Sequence, residues 1–268
     1  MLQSDSAGRF SGIQRLYGAV AAQRIVDLHV CVIGLGGVGS WAVEALARSG
    51  AGELTLIDYD EICVTNINRQ VHALDSSVGR KKIVAMSERV KDINPLCHCN
   101  IVDDFITDKN LFVHLPVEGG FDFVIDAIDS IKFKAALIYY CKSNRIPVIT
   151  TGAAGGLTDP AQVMVKDLAR TFNDPLAAKV RARLRAEHGY TRNPKRSFGV
   201  ECVFSSQQQV YPKGDGSVGY RKPGIHGVHL DCRMGYGSAS FVTATMGFVA
   251  VSRMIEKHLR KCGIKQSC

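Results

Sequence analysis

Phosphate-binding chemistry is most legible at Gly34-Leu35-Gly36-Gly37-Val38-Gly39. Gly34, Gly36 and Gly39 keep the G-x-G-x-x-G spacing. Glycines allow a tight turn and a close backbone approach to an anion, and a helix behind them offers free N–H groups and a positive dipole end. Asp58 closes a second apolar run, where a carboxylate would accept ribose hydroxyls. The residues that follow, Asn66-Ile67-Asn68-Arg69-Gln70, are not how a dehydrogenase continues. A dinucleotide site needs room for a second nucleoside, whereas a triphosphate needs cations, and Arg69 and Lys82 would supply them. Asp129, just past a later strand, suits Mg2+, a hard cation that prefers carboxylate, water and phosphate oxygens. It reads equally as the N-cap of a helix starting near Ile131.

The elements that must hold these residues follow from hydrophobic period. Positions 30–33 read as a buried parallel strand, 39–46 as the helix behind the glycine turn and 54–57 as the second strand. Lys82 opens a helix to about residue 91, ended by Asn94-Pro95; further strands are expected at 99–102, 121–126 and 147–151, with a helix at 131–143 between the last two. In open α/β sheets the residues just past the strand C-termini line the ligand crevice. Asp126 would brace that turn, and the glycine-rich stretch 152–156 would face the acceptor side. Residues 9–26 carry a helical pattern. Arg15 within it is either a surface charge or an arginine that reaches a neighbouring subunit's nucleotide.

The second half is looser. A helix is expected over 166–184 and short strands at 199–204 and 209–211, then a turn-rich linker at 214–227. The stretch 179–196 carries Lys179, Arg181, Arg183, Arg185, Arg192, Lys195 and Arg196, either a solvated face or a grip for RNA phosphates. Cys232 sits in a polar, glycine-flanked setting next to Arg233, which suits a reactive thiol better than a buried one, with a passive cysteine as the alternative. No residue from 235 to 252 is charged. That run is short and carries Gly, Ser and Thr, so a buried helix is expected, with a membrane anchor as the minority reading.

The totals fit a soluble α/β protein: 268 residues, 46% hydrophobic and 22% charged, with a formal net charge of +8. The nine cysteines include no C-x-x-C pair, which excludes the usual zinc half-site. With no apolar run in residues 1–12, a reducing cytoplasmic setting is expected. A nucleotide-binding unit over 1–157 and a C-terminal part over 158–268, packed on the same body, complete the expected organisation.

At the glycine turn, Asp58, Asn66–Gln70, Lys82 and Asp129, the chain resembles the E1-like adenylating enzymes of the ThiF and MoeB group. The resemblance implies a doubly wound Rossmann-like fold, a homodimer, and ATP with Mg2+ used to activate a carboxylate. It assigns Asp58 to the ribose, Asn66 and Arg69 to the phosphates, and Lys82 to the phosphates and the developing charge. Asp129 would hold the magnesium, and Arg15 is a weaker match to an arginine that crosses the dimer. Asn94-Pro95, Asp126-Ala127-Ile128-Asp129-Ser130, Asp174-Pro175-Leu176-Ala177-Ala178-Lys179 and Cys202-Val203-Phe204-Ser205 look like the tRNA threonylcarbamoyladenosine dehydratase branch of that group. That branch implies a modified adenosine at tRNA position 37 as substrate. The missing zinc cysteines weigh against the alternative, adenylation of a ubiquitin-like sulfur carrier. Cys232 is the residue that would form a thioester or accept sulfur from a cysteine desulfurase.

Overall fold

A computed structural model describes residues 8–118, 120–221 and 237–264. Seven strands form one sheet in the order β3-β2-β1-β4-β5-β7-β6. They are β1 His29–Ile33, β2 Glu53–Ile57, β3 His98–Val102, β4 Phe123–Asp126, β5 Val148–Thr151, β6 Val163–Asp167 and β7 Glu201–Ser205. All neighbours run parallel except β6, which pairs antiparallel with β7 at the edge. Parallel strands covered on both faces lose the polar half of the alternation, which is why the central strands read as continuous apolar runs.

Alternate residues of one strand serve two cores. Val30, Val32, Leu54, Leu56 and Ile125 face a layer that includes α3 Gly39–Arg48, α4 Lys82–Ile93 and α8 Ser240–Lys261. Cys31, Ile33, Ile57, Val124 and Phe204 face α6 Ile131–Ser143 and α7 Pro175–Glu187. The remaining helices are α1 Ser11–Tyr17, α2 Ala19–Val26 and the single turn α5 Leu111–His114; β8 Tyr211–Pro212 and β9 Val218–Gly219 form a small hairpin.

Several expectations change. Residues 9–26 form two helices, because Gly18 adopts φ 83° and breaks the run. The helix expected over 166–184 is three pieces: β6, a 3-10 turn Leu168–Arg170, and α7. Asp174 starts α7 by accepting from the Ala177 amide, with Pro175 in the first turn, and Asn173 before it takes a positive φ. The expected strand at 199–204 is β7, inside the sheet between β5 and β6. The uncharged run lies mostly in α8, which buries Val242, Met246, Ala250, Val251 and Met254 against the sheet layer. A Cβ at Gly247 would stand 2.7 Å from the Val38 carbonyl oxygen and 2.9 Å from the Ala42 amide, so α8 rests directly on α3. No helix among the described residues is long and apolar enough to cross a membrane.

Candidate active site

The site forms where β1, β2 and β4 end. The Gly34 amide donates to the Ile57 carbonyl and the Ala127 amide to the Ile33 carbonyl, each at 2.9 Å, so the three strand ends are stitched together. Gly34 has φ 87°, and a Cβ there would meet the Ala127 carbonyl oxygen at 2.9 Å; one at Gly37 would meet Thr243 at 3.0 Å. Apart from its chain neighbours, no described residue lies within 4 Å of a Cβ placed on Gly36. Its side of the loop is open to a ligand.

Asp58 is nearly buried at the tip of β2, and its carboxylate accepts from the Leu35 amide at 2.6 Å and the Asp60 amide at 2.8 Å. The acid is therefore fixed to the glycine loop itself. Burial pushes its carboxyl above the usual range, against the pull of the Lys82 charge and the two amide donors. Lys82 opens α4 with its side chain folded in; the ammonium donates to Asp60 at 2.6 Å and lies 4.0 Å from Asp58. Burial raises the Tyr59 hydroxyl, and Asp60, Asp58 and Asp129 raise it further. Three carboxylates thus press on one spot.

Asn66 and Arg69 sit on the loop between β2 and α4. The Asn66 side-chain oxygen accepts from the Cys63 amide at 3.1 Å, closing a 3-10 turn. The Arg69 carbonyl accepts from the Trp41 indole at 3.0 Å and from the Thr243 hydroxyl at 3.1 Å. Its guanidinium donates to the Thr65 carbonyl at 2.5 Å. Two helices from distant parts of the chain, α3 and α8, therefore hold the arginine's backbone in place.

Asp129 is exposed beyond β4, in a turn fixed from below by Asp126. The buried Asp126 carboxylate accepts from the Thr150 hydroxyl at 2.6 Å and the Ile128 amide at 3.1 Å, the bracing role expected of it. Asp129 is not the helix cap: Ser130 holds that position. No group of three or more acidic, His or Cys side chains that could hold a metal occurs among the described residues. Mg2+ does not need such a cage, since one or two carboxylates complete its shell with phosphate and water.

One expected residue stands elsewhere and another falls outside the described residues. Arg15 is exposed on α1, and Phe10 just before that helix packs on Gly50, which precedes β2 at the opposite edge of the sheet. Cys232 lies outside the described residues. Sequence reading passed over Thr243, Trp41 and Lys134, which the structure brings to the site. Lys134 did leave a signal: it occupies a position of the stripe Lys134, Leu137, Ile138, Cys141 that α6 buries, where a charge has no business unless it is paired.

A glycine loop with an acid at the next strand tip, a lysine behind it and an asparagine–arginine loop between them is the arrangement of an E1-like nucleotide-binding protein. Residues 11–262 match the model of the ThiF family, and the chain belongs to that family. It is 53% identical over 254 residues to the tRNA threonylcarbamoyladenosine dehydratase of Escherichia coli (strain K12), covering 94% of each chain. Among solved structures it is similar to E. coli tRNA N6-threonylcarbamoyladenosine dehydratase in complex with AMP (TM-score 0.85, 50% identity) and with ATP (TM-score 0.85, 49% identity). Each covers 96% of both chains.

Proposed function

We propose that this protein uses ATP to dehydrate the threonylcarbamoyl side chain of the modified adenosine at tRNA position 37 to its cyclic form. One observation carries the reading. The glycine loop, Asp58 and Lys82 meet at a single sheet edge, in a chain similar over nearly its whole length to a dehydratase solved with ATP.

The chemistry fits these residues. A carboxylate is a poor electrophile because oxide would have to leave. Transfer of an adenylyl or phosphoryl group turns one carboxylate oxygen into part of a good leaving group. The carbamoyl group on the same side chain then attacks the activated carbonyl, displacing the phosphorylated oxygen and closing a five-membered ring with net loss of water. Because the ring closure is intramolecular, effective molarity supplies much of the rate and no protein nucleophile is required.

Asp58 is positioned to accept from the ribose, and the open flank of Gly36 to admit phosphate. Asn66, Arg69 and Lys82 line the way to the reacting phosphates. Lys82 and Arg69 offset charge that grows on phosphate oxygens, the preorganised electrostatics on which such transfers depend. Asp129 would hold Mg2+, which neutralises phosphate charge when bound. The reaction is ligase-like, since ring closure is driven at the expense of ATP.

For tRNA, the exposed Lys179, Arg192, Lys195 and Arg196 are the available phosphate contacts. Arg181, Arg183 and Arg185 are partly committed to Thr171, Glu187 and Thr191. A homodimer would give Arg15, remote from its own site, a nucleotide to reach across the interface. Cys232 would be the sulfur acceptor if a cysteine desulfurase is a partner.

The test uses purified protein, Mg-ATP and tRNA carrying threonylcarbamoyladenosine, with nucleosides read by mass spectrometry. ATP-dependent loss of one water, abolished in Arg69→Ala, is the expected result. An unchanged nucleoside, with ATP turnover only on addition of a carrier protein, would overturn it.

A further inference from the structure

Lys134 lies in the first turn of α6 yet is 1% exposed. Its ammonium donates to the Ile128 carbonyl at 2.9 Å and the Asp126 carbonyl at 3.3 Å, and stands 3.1 Å from the Asp126 carboxylate, itself wholly buried. Thr150 donates to that carboxylate and Thr151 to the Asp126 carbonyl, at 2.6 and 3.2 Å. Every one of these bonds ends on residues 126–128.

A buried ion pair is weak support for a fold, because packed apolar residues of the same volume often serve as well. What apolar residues cannot do is grip two carbonyls of a turn. This turn closes on the glycine loop, since Cβ atoms on Gly34 and Gly39 would collide with Ala127 or with the loop's own Gly34 carbonyl. It also ends on Asp129. The same two carbonyls therefore set the roof of the phosphate loop and the direction of the last carboxylate.

We infer that Lys134, with Asp126 and Thr150, is a positioning residue for nucleotide binding: it fixes the 126–129 turn against the glycine loop and aims Asp129. The inference rests on the ATP-binding reading above. Lys134 touches no nucleotide; its effect passes through the turn.

The experiment compares the intact protein with Asp126→Asn/Lys134→Met, which removes both buried charges together and keeps volume. Melting temperature reports the fold, and calorimetric titration with a non-hydrolysable ATP analogue over a range of Mg2+ reports the site. The expected result is a melting temperature near that of the parent with ATP affinity down by about tenfold or more, the scale on which supporting contacts act, and a higher Mg2+ demand. Asp129→Asn is the control. If it weakens Mg-ATP binding while the double variant binds like the parent, positioning by Lys134 is overturned and the site reading stands. If Asp129→Asn and the double variant both bind like the parent, both fall. Should the double variant fail to fold, Thr150→Val decides, since it removes one hydroxyl from the same carboxylate. A drop of a few-fold in ATP affinity supports the inference, and unchanged affinity sinks it.

Discussion

Two lysine–aspartate pairs flank the nucleotide edge, and they differ in one respect. Lys82 and Lys134 each sit in the first turn of a helix that leaves the sheet, and each meets an aspartate, at 2.6 and 3.1 Å. The partner of Lys82, Asp60, has 45% of its side chain exposed, whereas Asp126 has none. A wet partner can exchange an ammonium for solvent when a phosphate arrives, at little cost. A dry one cannot, because either charge left alone in the core would be several kcal/mol out of balance. On the proposed function, one pair opens when phosphate binds and the other persists.

That contrast is broken most directly by removing one lysine at a time. Lys134→Met leaves the Asp126 carboxylate buried without its cation, and urea unfolding at neutral pH should show a loss of about 3–5 kcal/mol. Lys82→Met should unfold near the parent midpoint but lose transition-state stabilisation. ATP-dependent dehydration should fall by about a hundred- to a thousandfold, the cost of one preorganised charge, read by nucleoside mass spectrometry. If Lys82→Met proves as destabilising as Lys134→Met, the two pairs are equivalent and the contrast is void.

His72 sharpens the comparison from the side. Its ring nitrogens are buried with no hydrogen-bond partner among the described residues. Burial, then the charges of Lys82 and Arg89, lower its pKa to about 3. The unfolded chain takes up a proton near pH 6.5 while the folded one refuses it, so this contribution is complete above pH 6.5 and is lost as pH falls toward about 3. The slope is up to about 1.4 kcal/mol per pH unit, and unfolding free energies of His72→Asn measured across that window should be flatter.

Smaller effects belong to the open pair and to the surface. Asp60→Asn releases Lys82 from its competitor, and ATP should bind two- to fivefold tighter, on the order of 0.5–1 kcal/mol, by titration calorimetry. Arg80→Ala removes an exposed pair with Glu88 and should leave the urea midpoint at the parent's value.

The difference between the pairs also separates what the sequence disclosed from what it hid. The first five strands and the helices between them, apart from the single turn α5, were legible, most boundaries to within two residues, because parallel strands and amphipathic helices carry their period locally. Gly34, Asp58 and Lys82 were legible because they sit at fixed offsets from those elements. The segment 166–184 was misread because an apolar and basic composition suits an edge strand followed by a helix as well as one helix. Only Asp174-Pro175 marked the true start. The fixing of Arg69 by Trp41 and Thr243 was not legible at all, since it depends on a contact between residues 174 positions apart.

That long-range contact has a consequence for how the protein is made. The glycine-loop helix leaves the ribosome long before α8, and at about 5–20 residues per second the gap is roughly ten to forty seconds. Through that interval the strip around Val38, Trp41 and Ala42, which α8 covers through Gly247, faces water, and the Arg69 carbonyl lacks its Thr243 donor and keeps the Trp41 one. A nascent chain stalled before residue 240 would contain all seven strands of the sheet but leave the Arg69 loop without its α8 support. It would be a natural client for a chaperone and a poor consumer of ATP.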